Sequence, residues 1–189
     1  KQLSEAYFTT DSNGNIIQGN SILNAAQAQT KGIELDVRAI PVDGLTLNAS
    51  AAYVDAHYTN FLFADPDTGT TDNLAGRQLE NVSPWTANAG FSYTAPVAMG
   101  AATLSMQYRY TAPWYDYEID PSAAKLQATN YIDGNLDWTP DGAKWTIGTW
   151  VRNLADKHYI ASHTEKVGLL GIGSYAPPRE YGLTFKYNW

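Results

Sequence analysis

The residues best suited to holding a ligand are gathered in one short run, Pro113-Trp-Tyr-Asp-Tyr-Glu-Ile-Asp120. Trp114, Tyr115 and Tyr117 offer ring faces that stack on sugars or aromatic groups. Asp116 and Glu118 between them accept hydrogen bonds from hydroxyls. The same five residues also suit a plainer role, an aromatic collar where a strand leaves an apolar environment. If they do hold a ligand, the carboxylates of Asp116, Glu118 and Asp120 would repel a strongly anionic one and favour a neutral, cationic or saccharide one.

The rest of the chain offers little chemistry. His57, His158 and His163 fall in loops or at loop margins, and no Ser/His/Asp set has the spacing of a catalytic motif, so no enzyme activity is expected. Asp65-Pro-Asp-Thr-Gly-Thr-Thr-Asp72 has oxygen ligands at alternate positions, as a calcium loop does. Its Gly falls at the fifth position and no bidentate Glu closes it, so the run reads as a turn. Neither a metal nor a cofactor is expected. There is no cysteine, and a net charge of −7 leaves no basic patch for nucleic acid.

The elements that must position these residues repeat with a period of two. Ile33, Leu35, Val37 and Ala39 alternate with Gly32, Glu34, Asp36 and Arg38. Further runs centre on Leu45–Tyr53, Trp85–Tyr93, Leu104–Tyr110, Leu126–Trp138, Trp145–Val151 and Tyr181–Trp189. That makes seven strands, and residues 1–8 supply part of an eighth. Short turns are expected near 41–44, 97–101 and 139–144, and long loops near 9–28, 55–83, 112–125 and 153–177. Alternating short and long connections mark an up-and-down transmembrane barrel. Mean hydropathy is only −0.34, as expected when lipid-facing and lumen-facing residues alternate. No stretch reaches the roughly 18 apolar residues that a membrane helix needs.

Aromatic residues are placed to match. Tyr93, Trp138, Trp145, Tyr187 and Trp189 lie near the short-turn end of the apolar face, and Tyr53, Trp85 and Tyr110 near the long-loop end. Rings with one apolar and one wet side gather at membrane interfaces. Trp150 breaks the pattern, because its parity turns it toward the polar face. That face also carries small residues such as Gly90, Gly148 and Gly182, which suits a wide or plugged lumen.

Two other architectures share the alternation. A soluble β-sandwich would place its aromatics centrally and would rarely need several long loops on one side. An eight-stranded barrel could close on itself, with a packed interior. Lys1 is not Met and no signal region follows it, so the chain reads as the interior of a longer protein.

Four segments narrow the choice. Thr30-Lys-Gly-Ile-Glu-Leu-Asp36, Gly76-Arg-Gln-Leu-Glu-Asn-Val-Ser-Pro-Trp85, Asn153-Leu-Ala-Asp-Lys-His-Tyr159 and Pro177-Pro-Arg-Glu-Tyr-Gly182 resemble, in order, segments of TonB-dependent outer-membrane receptors. The resemblance covers nearly the whole chain. It implies an all-β antiparallel segment of about eight strands, residues 1–189, from the C-terminal part of a 22-stranded barrel. The plug domain and the N-terminal strands would lie outside these residues. It further implies the outer membrane of a Gram-negative bacterium and uptake of a scarce nutrient, a siderophore, cobalamin or saccharide. The implied partners are the lipid bilayer and lipopolysaccharide, the rest of the barrel with its plug, TonB through the N-terminal part, and the barrel-assembly machinery. Phe185, Tyr187 and Trp189 would be the assembly signal, with Trp at the end where the family usually has Phe.

Overall fold

The computed structural model describes residues 2–10, 16–24, 27–64, 70–116, 125–164 and 172–189, and within them every regular element is a β-strand. β1 (Gln2–Thr10) and β2 (Ile16–Asn24) form a hairpin of their own. β3 (Gln27–Val42) and β4 (Leu45–Asn60) follow as a long pair. A small hairpin of β5 (Leu62–Ala64) and β6 (Thr71–Asn73) precedes β7 (Trp85–Val97) and β8 (Gly100–Thr111). β9 (Trp114–Tyr115) pairs with β10 (Lys125–Leu126) before β11 (Thr129–Pro140) and β12 (Trp145–Arg152). A last small hairpin, β13 (Ile160–Thr164) with β14 (Ile172–Tyr175), leads to β15 (Glu180–Tyr187).

Seven of these strands make one sheet in the order β15-β12-β11-β8-β7-β4-β3, and every neighbouring pair is antiparallel. It is an up-and-down meander whose ends do not meet. The expected eighth strand does not join it. Residues 2–10 pair instead with residues 16–24, which the period-two pattern assigns to a loop. The loop at 9–28 is thus largely strand, and β4 runs on to Asn60, beyond the expected end at Tyr53. The short connections stand where expected. Two of them turn on Gly44 and Gly142, whose φ values of 80° and 67° suit a residue without a Cβ.

Register carries the two faces intact across the sheet. Leu47 opposes Phe91, Leu104 opposes Leu136, and Ile147 opposes Phe185, all on one side. Ile33, Leu35, Leu183 and Phe185 on that side are exposed, and no second layer covers them among the described residues. Removing each such side chain from water is worth roughly 1.5–3 kcal/mol, so this face calls for an apolar surrounding. The main buried apolar cluster lies elsewhere, in the 55–83 excursion, where Tyr58, Phe61, Phe63 and Leu74 pack together with Leu79 against them.

The polar face is knit by short side chains. Ser105 Oγ donates to Ser92 Oγ at 3.0 Å, and the Thr94/Thr103 and Thr139/Thr146 hydroxyl pairs meet at 2.9 and 2.7 Å. The glycines on this face do not simply widen a lumen, because large neighbours occupy the space above them. A Cβ on Gly182 would meet the Trp150 ring at 2.7 Å, and one on Gly148 would meet Asp137 Oδ1 at 2.0 Å. Trp150 and Gly182 are direct cross-strand partners. The indole therefore lies over the glycine, and this accounts for an aromatic ring on the polar side.

Gly182→Val is expected to cost about 1–3 kcal/mol through overpacking, read from the urea midpoint of the full-length protein in detergent. Adding Trp150→Ala should recover most of that loss. Simple additivity of the two substitutions would contradict the packing.

Candidate functional site

The polar face is organised around Asp133. Arg109 Nη2 donates to its Oδ2 at 2.8 Å, and Arg152 stands 3.9 Å from the same oxygen. The Asn153 backbone N–H donates to Oδ1 at 2.9 Å. The Arg109 guanidinium also lies 5.5 Å from the centre of the Tyr131 ring. Further along, Lys186 Nζ is 3.8 Å from Asp137 Oδ2, to which Asn135 Nδ2 donates at 3.2 Å. Arg109, Asp133, Asn135, Asp137, Arg152 and Lys186 border an open trough of about 800 Å³. Both arginines are at least half exposed, so each ion pair is worth at most about 1 kcal/mol. Their main effect is to hold opposite charges in fixed places along the wall.

Two of the sequence segments prove to be halves of one clasp. Asn153 is buried, with φ 50°, a conformation that asparagine tolerates better than most residues. Its Nδ2 donates to the carbonyls of Lys157 and Pro177 at 2.9 and 3.4 Å, and its Oδ1 accepts from the Lys157 N–H at 2.9 Å. Asp156 Oδ1 accepts from the Arg179 N–H at 3.2 Å, and Oδ2 faces the Arg179 guanidinium at 3.6 Å. Buried Tyr159 completes it: its hydroxyl donates to Asn130 O at 3.2 Å and accepts from Asn130 N–H at 3.0 Å. The residues around 153–159 and 177–182 thus tie β11 and β12 to the start of β15.

At the long-loop end, the predicted ligand residues Trp114 and Tyr115 form β9, and Asp116 follows. Tyr117 and Glu118 lie outside the described residues. Sequence reasoning missed Lys125, which opposes Tyr115 in β10 and brings its ammonium 5.4 Å from the ring centre. The Gly76–Trp85 segment supports this site. The Asn81 N–H donates to Tyr115 O at 2.7 Å and Ser83 Oγ to Ala112 O at 2.9 Å. The segment is itself fixed by the Tyr58–Leu74 cluster, through Gly76 N–H to Tyr58 O and Leu79 N–H to Ala56 O. Two successive long loops are therefore joined, and the rings sit on a packed base.

The other sequence candidates are dispersed. His57 Nδ1 lies 2.9 Å from Asp55 Oδ1, and the His163 side chain is outside the described set. No cluster of three or more metal-ligating side chains occurs among the described residues, and residues 65–69 of the calcium-like run are not among them. Tyr93, Trp138, Trp145, Tyr187 and Trp189 all lie toward the short-turn end. There Trp138 meets Trp145 edge-on at 5.7 Å, Trp145 stacks on Phe185 at 6.3 Å, and Tyr187 meets Trp189 at 5.6 Å. Tyr53 and Trp85 form a tilted pair at 4.8 Å near the opposite end.

A single-layer antiparallel meander with one apolar and one charged face is the wall of a transmembrane β-barrel. The family model for TonB dependent receptor-like β-barrels matches residues 4–154, and the chain belongs to that family of receptors. Its structure is similar to the ferric yersiniabactin uptake receptor FyuA from Yersinia pestis, with a TM-score of 0.76 and 17% identity over 89% of this chain and 25% of that one. The ferric preacinetobactin receptor BauA from Acinetobacter baumannii gives 0.65 and 17% over 98% and 26%. The siderophore receptor PiuA from the same organism gives 0.62 and 17% over 84% and 21%. The chain thus spans about a quarter of each receptor's length.

Asn153→Ala should lower stability by about 2–3 kcal/mol, at roughly 1 kcal/mol for each hydrogen bond its side chain makes. Leu154→Ala, at an exposed neighbour, should stay within about 0.5 kcal/mol. Unfolding midpoints of the two full-length variants in detergent check the difference.

Proposed function

We propose that residues 1–189 form the C-terminal part of the barrel of an outer-membrane receptor that takes up a ferric siderophore with energy supplied through TonB. The observation that carries this reading is the two-faced wall, apolar and uncovered on one side and lined with Arg109, Asp133, Arg152 and Lys186 on the other. Trp85 and Tyr93 are eight residues apart on β7, about 27 Å along the strand and about 21 Å across a bilayer at the usual tilt. That separation suits a transmembrane apolar band, with Tyr93, Trp138, Trp145, Tyr187 and Trp189 at its periplasmic edge. In this reading Phe185, Tyr187 and Trp189 serve the barrel-assembly machinery, the polar face meets a plug domain, and the loop rim meets lipopolysaccharide.

The rim and the relatives together support this substrate class. Trp114 and Tyr115 offer stacking faces, and the Lys125 ammonium beside Tyr115 moderates the acidic loop that would otherwise repel an anionic ferric complex. The three structurally similar receptors are described as a ferric yersiniabactin uptake receptor, a ferric preacinetobactin receptor and a siderophore receptor. Deleting the gene should abolish uptake of an iron-loaded siderophore and leave uptake of cobalamin and saccharides unchanged, and deleting TonB should abolish that siderophore uptake as well. Loss of cobalamin or saccharide uptake on deleting the gene instead would overturn the substrate class, and no loss of any uptake would overturn the receptor reading. In the full-length receptor, Trp114→Ala and Tyr115→Ala should each weaken siderophore binding about tenfold, or ~1.4 kcal/mol, as measured by tryptophan quenching or calorimetry.

A further inference from the structure

The trough on the polar wall does not carry balanced charge. Arg109, Arg152 and Lys186 line it against only Asp133 and Asp137, in a chain whose net charge is −7. Lys186 and Asp137 face each other one to one at 3.8 Å. Asp133 is shared: its Oδ2 accepts from Arg109 at 2.8 Å and holds Arg152 at 3.9 Å, while its Oδ1 accepts the Asn153 N–H. The first distance is that of a charge-assisted hydrogen bond, and the second is too long for one. A carboxylate with both oxygens engaged thus draws in a second guanidinium that it does not hydrogen-bond. Glu180 stands opposite Arg152 on β15, but it does not line the trough, and the one ion pair of Arg152 among the described residues is with Asp133. The Arg152 side chain is 67% exposed, so its fork of N–H donors is open to the trough.

The pair of arginines also has a definite height. Arg109 opposes Asn88, three residues inward from Trp85, so it lies about 10 Å along the strand below the outer aromatic pair. In the other direction Trp114 is five residues away, at most about 18 Å of chain. The Tyr131 ring beside the Arg109 guanidinium keeps that cation against an aromatic face. We propose that Arg109 and Arg152 form an oxyanion subsite at the mouth of the lumen, taking a carboxylate or catecholate group of a negatively charged ferric complex beneath the Trp114–Tyr115 rim. This rests on the siderophore reading above and deepens it: the ligand is anionic, although Asp116, Glu118 and Asp120 taken alone would turn such a ligand away. Arg152 makes the main contact, because a guanidinium fork matches two adjacent oxygens. Arg109 adds its charge. Asp133 is a positioning residue that keeps two like charges within reach of one anion.

The full-length receptor in detergent is titrated with three iron(III) complexes, and binding is read by calorimetry. Two are negatively charged, a triscatecholate and a citrate complex, and the third is a neutral trishydroxamate. One or both anionic complexes should bind more tightly than the neutral one, and the preferred one names the oxyanion. Arg152→Gln should weaken that complex about tenfold, and Arg152→Lys, which keeps the charge, by no more than about threefold. The affinity of the unaltered receptor should fall more steeply with salt than that of Arg152→Gln, since the variant has lost a charge that salt screens. A strut that only holds the wall together would give another pattern: equal loss in both variants, lowered urea midpoints and an unchanged salt slope. That pattern would overturn the subsite. Preference for the neutral complex, or undiminished binding of the anionic one by Arg152→Gln, would also overturn it and leave the receptor reading standing. Binding of none of the three would overturn the siderophore reading itself, and the subsite with it.

Discussion

A backbone that enters hydrocarbon must satisfy its own hydrogen bonds, and the rest of this structure depends on that constraint. It makes strands pair with neighbours on both sides, and it makes a single layer sufficient, because the lipid takes the part of the second layer. The sheet accordingly has no packed interior. Its apolar residues point outward, and the densest apolar packing is displaced to the 55–83 excursion, where water returns. A soluble protein with this distribution would be inverted. A barrel wall with it is consistent at every level.

Within the sheet, order comes from lateral fit on the polar side. At two places a glycine lies beneath a larger side chain of the neighbouring strand, as Trp150 covers Gly182 and Asp137 covers Gly148. Above the sheet, polar clasps do the equivalent work. Asn153, Asp156 and Tyr159 tie the last three strands of the sheet together, and the Gly76–Trp85 segment carries the Trp114–Tyr115 rings on a packed base. Of the four segments that resemble receptor sequences, two thus form the halves of one clasp and a third is a support, and neither device needs to touch a ligand.

Much of the wall was legible in the sequence because a period of two admits one register once a face is apolar. The seven strands of the sheet, the three short turns and the aromatic ends of the apolar face follow from residues such as Leu47, Phe91 and Leu136 alone. The hairpin at 2–24 was not legible, since neither residues 2–10 nor residues 16–24 alternate strictly between apolar and polar side chains. Trp150 could not be explained from parity, because its partner is a glycine thirty-two residues later in the chain. The Asp133 hub and the Lys125 approach to Tyr115 were hidden for the same reason, as each depends on pairing across strands. The run Trp114–Glu118 was singled out by residue type alone, while the backbone mounting of Trp114 and Tyr115 depends on pairing that the sequence does not display.

The central claim is that the face carrying Leu47, Ala49 and Ala51 lies against lipid and the face carrying Asn48, Ser50 and Ala52 against a wet lumen. Nitroxide labels placed one at a time at residues 46–52 of the full-length receptor in bilayers test it most directly. Collision with oxygen, which partitions into lipid, should be high at the odd-numbered positions, and collision with a water-soluble nickel complex should be low there, with a period of two. A flat profile, or odd-numbered positions open to the nickel complex, would contradict a transmembrane wall.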